Sequence, residues 1–301
     1  MRKRKLAPYL MLLPYFAAFF AFHVFPILFS FAISFTNWNG ISAEKEFIGI
    51  ANYARALTKD SFFFLSLKNT LILTALIIPG QVLIGLLMAC LLKDFIGSRW
   101  RGALQLVNFL PYITTSVALA IIFQLMFDWK NGIVNGILGL FGQEAIYWLG
   151  KPLPTRAVVV IMEIWKNYGY AMIMYMAGLS TIPEELYEAA KIDGAGWSKC
   201  FRYITIPMLR PIFAFTITTG MIGVLNLFDG PQLLFSSINQ PLGGPGRSVL
   251  TIMIRFYEAS FLNFEFGYGA SIAYLFFLLV TVLSGLLVRL FQDKEERRGR
   301  G

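Results

Sequence analysis

Long apolar runs separated by short polar segments dominate this chain. Runs near residues 9–36, 66–92, 103–127, 157–179, 208–230 and 268–291 are each long enough to cross a hydrocarbon core of about 30 Å as a helix. None shows the period-2 alternation of a barrel strand, and backbone groups in lipid must be satisfied internally. The pattern therefore predicts an all-α fold, a polytopic membrane bundle of six transmembrane helices. Pro14, Pro26, Pro79 and Pro111 lie inside the runs, where neighbouring helices can satisfy the freed carbonyls.

The polar segment 180–207 has helical signals of its own. Thr181 with Glu184 fits a capping box, Pro183 a first turn, and Gly194 a left-handed stop. Within this short helix Ile182, Leu186, Ala189 and Ala190 share one face, and Glu184, Glu185, Glu188 and Lys191 take the other. A second short helix over Trp197–Tyr203 would lead to Pro207 and the next span. An amphipathic helix of this kind could rest on lipid. Its acidic first turn suits an anionic leaflet poorly, however, and the alanine pair suits close approach by a protein.

Charge adds a direction. The chain carries a net charge of +9, and Lys and Arg are roughly threefold denser in segments 1–8, 93–102, 180–210 and 289–301 than in 37–65, 128–156 and 229–267. Both termini and segment 180–207 are thus expected on the cytoplasmic side. Dispersed between spans, these charges give no nucleic-acid recognition surface. The basic N-terminus before an apolar run also fits a signal peptide, but the run exceeds the roughly 7–15 residues of such a segment, which favours a retained anchor. With no internal repeat, the expectation is a single transmembrane domain over 1–301, with a cytoplasmic tail at 1–8 and a cytoplasmic loop at 180–207.

In the first external loop Gly49 interrupts the apolar run, and Tyr53, Ala54 and Leu57 could line one side of an interfacial helix. The third external loop, INQPLGGPGRSVLT, reads as turns. Cys90 and Cys200 are expected as free thiols. His23 is the sole histidine, so no metal site or His relay is predicted.

Polar groups at membrane depth are costly and mark pathways by default. Glu163, Lys166, Asn167 and Tyr170 fall on one face at i, i+3, i+4 and i+7. Two readings stand: Glu163 and Lys166 pair to lock the bundle, or the face lines a route. Asn226 and Asp229 could hydrogen-bond a ligand or cap a helix. Trp165, Tyr170 and Phe228 offer aromatic faces of the kind that suit sugar rings. The candidate pathway is Trp165, Asn167, Tyr170, Asn226, Phe228 and Asp229. No catalytic constellation appears, which leaves a membrane-embedded enzyme without support.

Glu188–Ala190 (EAA), three residues, Gly194, nine residues, then Ile204–Pro207 (ITIP) resembles the EAA loop of binding-protein-dependent ABC importer permeases, with Ile206 where that pattern has Leu. The segments Phe47–Tyr53, Leu67–Thr70, Ala177–Ala195 and Gly243–Thr251 are similar to the carbohydrate branch of that family, which handles maltose-like oligosaccharides and glycerol 3-phosphate. The resemblance implies that 180–207 holds a coupling helix seated in an ATPase, with contacts from Glu185, Leu186, Glu188, Ala189, Ala190, Asp193, Gly194, Ile204 and Pro207. Glu188 would be the charged anchor, the alanines the packing surface and Gly194 the bend.

It further implies an extracytoplasmic solute-binding protein, docking near Gly243, Gly244 and Pro245. The other implied partners are a second homologous permease, as a heterodimer or a homodimer, and two cytoplasmic ABC ATPases in a prokaryotic cell membrane. This chain has no phosphate-binding G-x-x-x-x-G-K-[ST] motif. ATP and Mg are expected in the ATPase and no cofactor on this chain. The competing class is a gradient-driven secondary transporter, which calls for paired buried acids in an inverted repeat.

Overall fold

The computed structural model describes residues 3–94, 97–235 and 241–299. Parts of the expectations for 1–8, 93–102, 229–267 and 289–301 lie outside the described residues, as does the INQ stretch of the third external loop. The described chain is helical, apart from an isolated antiparallel bridge between Thr36 and Phe47.

α1 (Lys3–Phe19) passes through a π-helical turn, Phe20–Val24, into α2 (Phe25–Ile33) without a break, so Pro14 and Pro26 do not end the first run. α3 (Ala51–Thr58) is the short loop helix expected around Tyr53, Ala54 and Leu57. Asn52 and Ala56 are buried while Ala54 and Leu57 are exposed. Tyr53 is half-buried, its hydroxyl 2.7 Å from Ser34 Oγ. Asn52 explains the register: its amide donates to Ser34 O (2.9 Å) and Thr36 O (2.8 Å), satisfying the end of the preceding helix.

α4 (Ser61–Asp94) spans 34 residues with Pro79 inside it. α5 (Ser98–Ile113) and α6 (Ser116–Met126) meet at 97°, so the run 103–127 is an elbow rather than one straight span. The cause is local. Pro111 lies in the last turn of α5, and Thr115 accepts from the Ala118 N–H to start a new helix. α7 (Ile133–Leu140) follows, then α8 (Pro152–Ser180).

α9 (Glu184–Ile192) forms without the expected capping box. Thr181 Oγ1 donates instead to Gly178 O at 2.8 Å and closes α8, while Pro183 starts α9. α10 (Trp197–Cys200), a π-helical turn (Phe201–Thr205) and α11 (Ile206–Met208) form one continuous stretch, longer than the foreseen 197–203. This stretch meets α12 (Arg210–Leu225) at 64°, and α12 ends before Asn226. α13 (Asp229–Leu234), α14 (Ile252–Tyr257), a π-helical turn (Glu258–Leu262) and α15 (Phe266–Gly299) complete the chain.

By length and apolarity, α1–α2 from Met11, α4 and α15 qualify as spans, together with the two bent pairs. α8 is long enough, 29 residues, but carries Arg156, Glu163 and Lys166.

Two compact units emerge. One combines the chain up to Phe64 with Arg255–Leu278; the other holds Leu65–Ile254 and the chain from Leu279. The first unit is fastened by a buried ionic cluster. Asp60 Oδ2 accepts from Arg255 (2.7 and 3.0 Å) and Tyr268 (2.6 Å), and Arg255 also donates to Glu258 (2.9 Å). Asp60 Oδ1 accepts from the N–H groups of Phe62 and Phe63, capping α4. Burial opposes the charge on Asp60, yet the hydrogen bonds from Tyr268 and Arg255 and the Arg255 charge hold its carboxyl below the ordinary range.

In the second unit Leu86, Ala89 and Leu92 of α4 pack with Ala171, Met172, Tyr175 and Leu179 of α8, with Ile182 and with Leu209. This apolar seam fixes the end of α8 from which α9 departs.

Candidate functional sites

α9 is held from behind. Tyr187 OH lies 2.9 Å from Thr205 Oγ1, and Lys93 donates to Leu179 O (3.3 Å) with its ammonium 5.0 Å from the Tyr187 ring centroid. Trp197 Nε1 donates to Asp94 Oδ2 at 3.2 Å and stacks on Phe201 at 5.1 Å. Burial raises the Tyr187 phenol above its ordinary range, with the Thr205 hydrogen bond working the other way. Glu184, Tyr187, Glu188 and Lys191, at i, i+3, i+4 and i+7, line a recess of about 440 Å³ that Cys90 and Cys200 also border as buried free thiols.

Tyr187 therefore faces back toward the elements that hold α9, Glu184, Glu188 and Lys191 border the recess while still exposed, and the apolar stripe faces out. Leu186 and Ala189 are exposed, and Ile192 is 87% exposed. Ile182, assigned to that stripe from its spacing, precedes the helix and is buried in the seam. Ala190 is half-buried; Glu185, Glu188 and Asp193 are exposed. Gly194 adopts φ +73, the left-handed geometry read from the sequence, and the Ala195 N–H returns to Ala190 O at 2.9 Å. Ile204 and Pro207 are half-buried on the stretch after the turn rather than on α9.

A second recess, about 360 Å³, opens among α4, α5, α8, α12 and α13. Five of the six candidate pathway residues line it: Asn167, Tyr170, Asn226, Phe228 and Asp229. Trp165 does not; it packs on Phe123 with ring centroids 5.8 Å apart. Tyr112, which the sequence did not single out, lines the recess with its ring stacked on Tyr170 at 5.1 Å. Its only signal was a place just after Pro111, at the elbow.

Glu163 and Lys166 both border this recess without the direct pair foreseen as one reading. Lys166 Nζ donates to Ser116 Oγ (3.0 Å), tying α8 to the start of α6. Asn167 Nδ2 donates to Glu163 O (2.8 Å) and Oε2 (3.3 Å). Asn226 donates to Ile222 O at 2.8 Å and closes α12, while Asp229 begins α13.

The GGPG turn is a third element. Gly243 and Gly244 have φ +80 and +69, and both are buried, so they shape the turn rather than present it; Pro245 is half-buried and Gly246 exposed. A side chain on Gly243 would meet the Leu250 backbone. Asn69 anchors the turn by donating to Arg247 O (2.9 Å) and Leu250 O (3.2 Å). Arg156 donates to Asn69 Oδ1 (2.9 Å) and Ser248 O (3.0 Å), and Thr70 accepts from the Ile252 N–H (2.9 Å). The Leu67–Thr70 and Gly243–Thr251 motifs are thus one hydrogen-bonded structure, with Arg156 as the link that sequence reading missed.

Among the described residues no group of three or more His, Cys, Asp or Glu is gathered as a metal site.

Comparison with known proteins gives the family of the chain. The chain is 35% identical over 283 residues to the lactose transport system permease protein of Rhizobium radiobacter, covering 92% of this chain and 91% of that one. It is 31% identical over 279 residues to the trehalose/maltose transport system permease protein of Thermococcus litoralis, covering 93% and 91%. It shares the fold of a crystallised bacterial ABC transporter involved in import of the acidic polysaccharide alginate, at a TM-score of 0.78, 22% identity and coverage of 97% and 96%. Residues 81–300 match the model of the binding-protein-dependent transport system inner membrane component, and the chain belongs to that family.

Proposed function

We propose that this chain is the membrane-spanning permease subunit of an ATP-driven importer for a sugar or oligosaccharide delivered by an extracytoplasmic binding protein. The observation that carries this reading is the second recess. Among apolar helices it gathers amides, hydroxyls, charges of both signs and a stacked pair of tyrosines, a lining suited to a polyhydroxylated ring. The names of the lactose and trehalose/maltose relatives agree with that chemistry.

The chain would form one permease domain of six spans, counting α8 and each bent pair as one, with both termini and 180–207 cytoplasmic. α9 would be the coupling helix, its outward Leu186, Ala189 and Ile192 docking into an ATPase and its Tyr187 resting on Lys93 and Thr205. Glu188, at the edge of these two faces, would anchor the contact. Two such ATPases would hold ATP and Mg, and a homologous second permease would complete a heterodimer. No cofactor is assigned to this chain. Closure of the motor shifts the bundle only if it binds the inward and outward arrangements with different free energy. The bonded rear of α9 gives that difference a rigid route into α4, α8 and the stretch that leads to α12.

The test is uptake into proteoliposomes holding the full complex. Uptake should require ATP and the loaded binding protein, and persist when ionophores collapse ion gradients. Gradient-driven uptake without ATP would establish the secondary-transporter reading instead.

A further inference from the structure

Between Met126, where α6 ends, and Pro152, where α8 begins, the chain makes a compact excursion that includes α7. Its hub is Asn135. The buried amide donates to Trp129 O (3.1 Å) and Ile146 O (3.0 Å), and accepts from Ile146 N–H (3.1 Å) and Trp148 Nε1 (2.9 Å). These four bonds fix α7 against the rest of the excursion. They also turn inward the one polar side chain of its sequence, IVNGILGL.

What remains outward is apolar. Ile133, Ile137, Leu140 and Phe141 follow at i, i+4, i+7 and i+8, and all are exposed, Leu140 at 85% and Phe141 at 78%. Trp129 and Tyr147 flank the helix with ring centroids 5.4 Å apart, partly exposed. The exposed Lys130 adjoins Trp129.

We propose that α7 lies in the outer membrane–water interface as a lipid-binding anchor. Its four outward side chains enter the acyl boundary, Trp129 and Tyr147 sit at headgroup depth, and Lys130 reaches lipid phosphate. Lipid is the occupant for three reasons. Both ends of the excursion run directly into helices of the membrane bundle, which keeps α7 near the boundary. The outward face offers no polar group to pair with the rim that a soluble partner brings. Trp and Tyr beside Lys form the composition that interfaces select. The anchor would hold the outer end of the α5–α6 elbow against the bilayer while the remaining helices move. This inference rests on the membrane placement proposed above.

The complete importer, with Cys90→Ala and Cys200→Ala as background, is placed in nanodiscs of phosphatidylglycerol and phosphatidylethanolamine. A nitroxide is attached in turn through Ile137→Cys, Leu140→Cys and Phe141→Cys, exposed positions where a label disturbs no packing. Leu278→Cys on the exposed face of α15 is the span control, and Gln143→Cys the aqueous one. Oxygen collisions should exceed nickel-chelate collisions at 137, 140, 141 and 278, and the order should reverse at 143. Nickel access at 137, 140 and 141 with a lipid-embedded 278 would overturn the anchor alone. Shielding from both reagents would mean that a protein subunit covers α7. Nickel access lost on adding the binding protein would assign the face to that protein. Nickel access at 278 would overturn the membrane placement itself.

Discussion

Asp60 and Glu163 are both buried carboxylates in a membrane chain, and they sit in opposite kinds of surroundings. Asp60 meets a closed set: Arg255 and Tyr268 on one oxygen, the start of α4 on the other, and Glu258 completing the guanidinium. Glu163 borders an open recess, with one long contact from Asn167 and with Lys166 bonded elsewhere to Ser116. A closed set leaves nothing for a ligand to do, whereas a partly satisfied one offers bonds to whatever enters. Burial of a charge alone does not distinguish a fastening from a route; the hydrogen bonds left unmade around it do.

The most damaging way to break the closed set is Arg255→Met, which strands Asp60 and Glu258 without their cation. Removing one partner from a buried ionic group costs about 3–5 kcal/mol. The variant should lose folded protein after a mild heat step in detergent. Asp60→Asn and Glu258→Gln, added to it, should recover part of the loss because no buried charge remains. If Arg255→Met survives heating like the parent, the cluster is not a fastening.

A smaller effect is expected on α9, whose outward stripe is poised for a contact rather than engaged in one. Burying an isoleucine is worth about 1.5–3 kcal/mol, or roughly tenfold to a hundredfold in affinity. Ile192→Glu should therefore leave heat stability unchanged while the ATPase no longer co-purifies and ATP-dependent uptake falls. Glu188→Ala, which keeps the stripe, should weaken co-purification less. Parental co-purification in both variants would remove α9 from the motor contact.

The sequence announced α9 through Pro183, its amphipathic spacing and Gly194, because these are local signals. It misplaced Ile182, since helical periodicity was extended one turn past the proline that starts the helix. The elbow at Thr114–Thr115 was hidden because hydropathy runs through it; Pro111 and the Thr115 cap were the available clues. The recess was half legible, since Asn167 and Tyr170 share a face of α8 while Tyr112 comes from α5 through tertiary packing. Asn69, Arg156 and Ser248 lie in separate parts of the chain, so their hydrogen bonds left no pattern to read. Asp60 with Arg255 and Tyr268 is the same case.

The open set should respond in transport and not in stability. A net hydrogen bond is worth about 1 kcal/mol, so Asn167→Ala should lower uptake severalfold at equal membrane abundance. Tyr112→Ala should act similarly through the lost stack, and Trp165→Ala, outside the recess, should not lower uptake. ATPase association should stay at the parental level in all three. A large loss of heat stability in Asn167→Ala would place this polar group with the fastenings.

The smallest effect concerns the pH at which the closed set opens. The folded-state value of Asp60 lies below its reference of 3.8, so its contribution to stability is fully present above that reference and is lost as pH falls through the lower folded value. Tyr268→Phe removes one hydrogen bond that holds the carboxylate ionised, while Arg255 and the α4 cap remain. The folded value should then move back toward 3.8, and the acid transition of the purified protein should begin at a higher pH than in the parent. Heat survival measured in steps from neutral pH down to about pH 3, near the Asp range, gives both curves. Near neutral pH they should differ only by the small cost of the lost bond, and they should separate further where the carboxylate starts to protonate. Curves that stay parallel through the acid range would mean that Tyr268 contributes packing alone, leaving Arg255 as the group that sets the ionisation of Asp60.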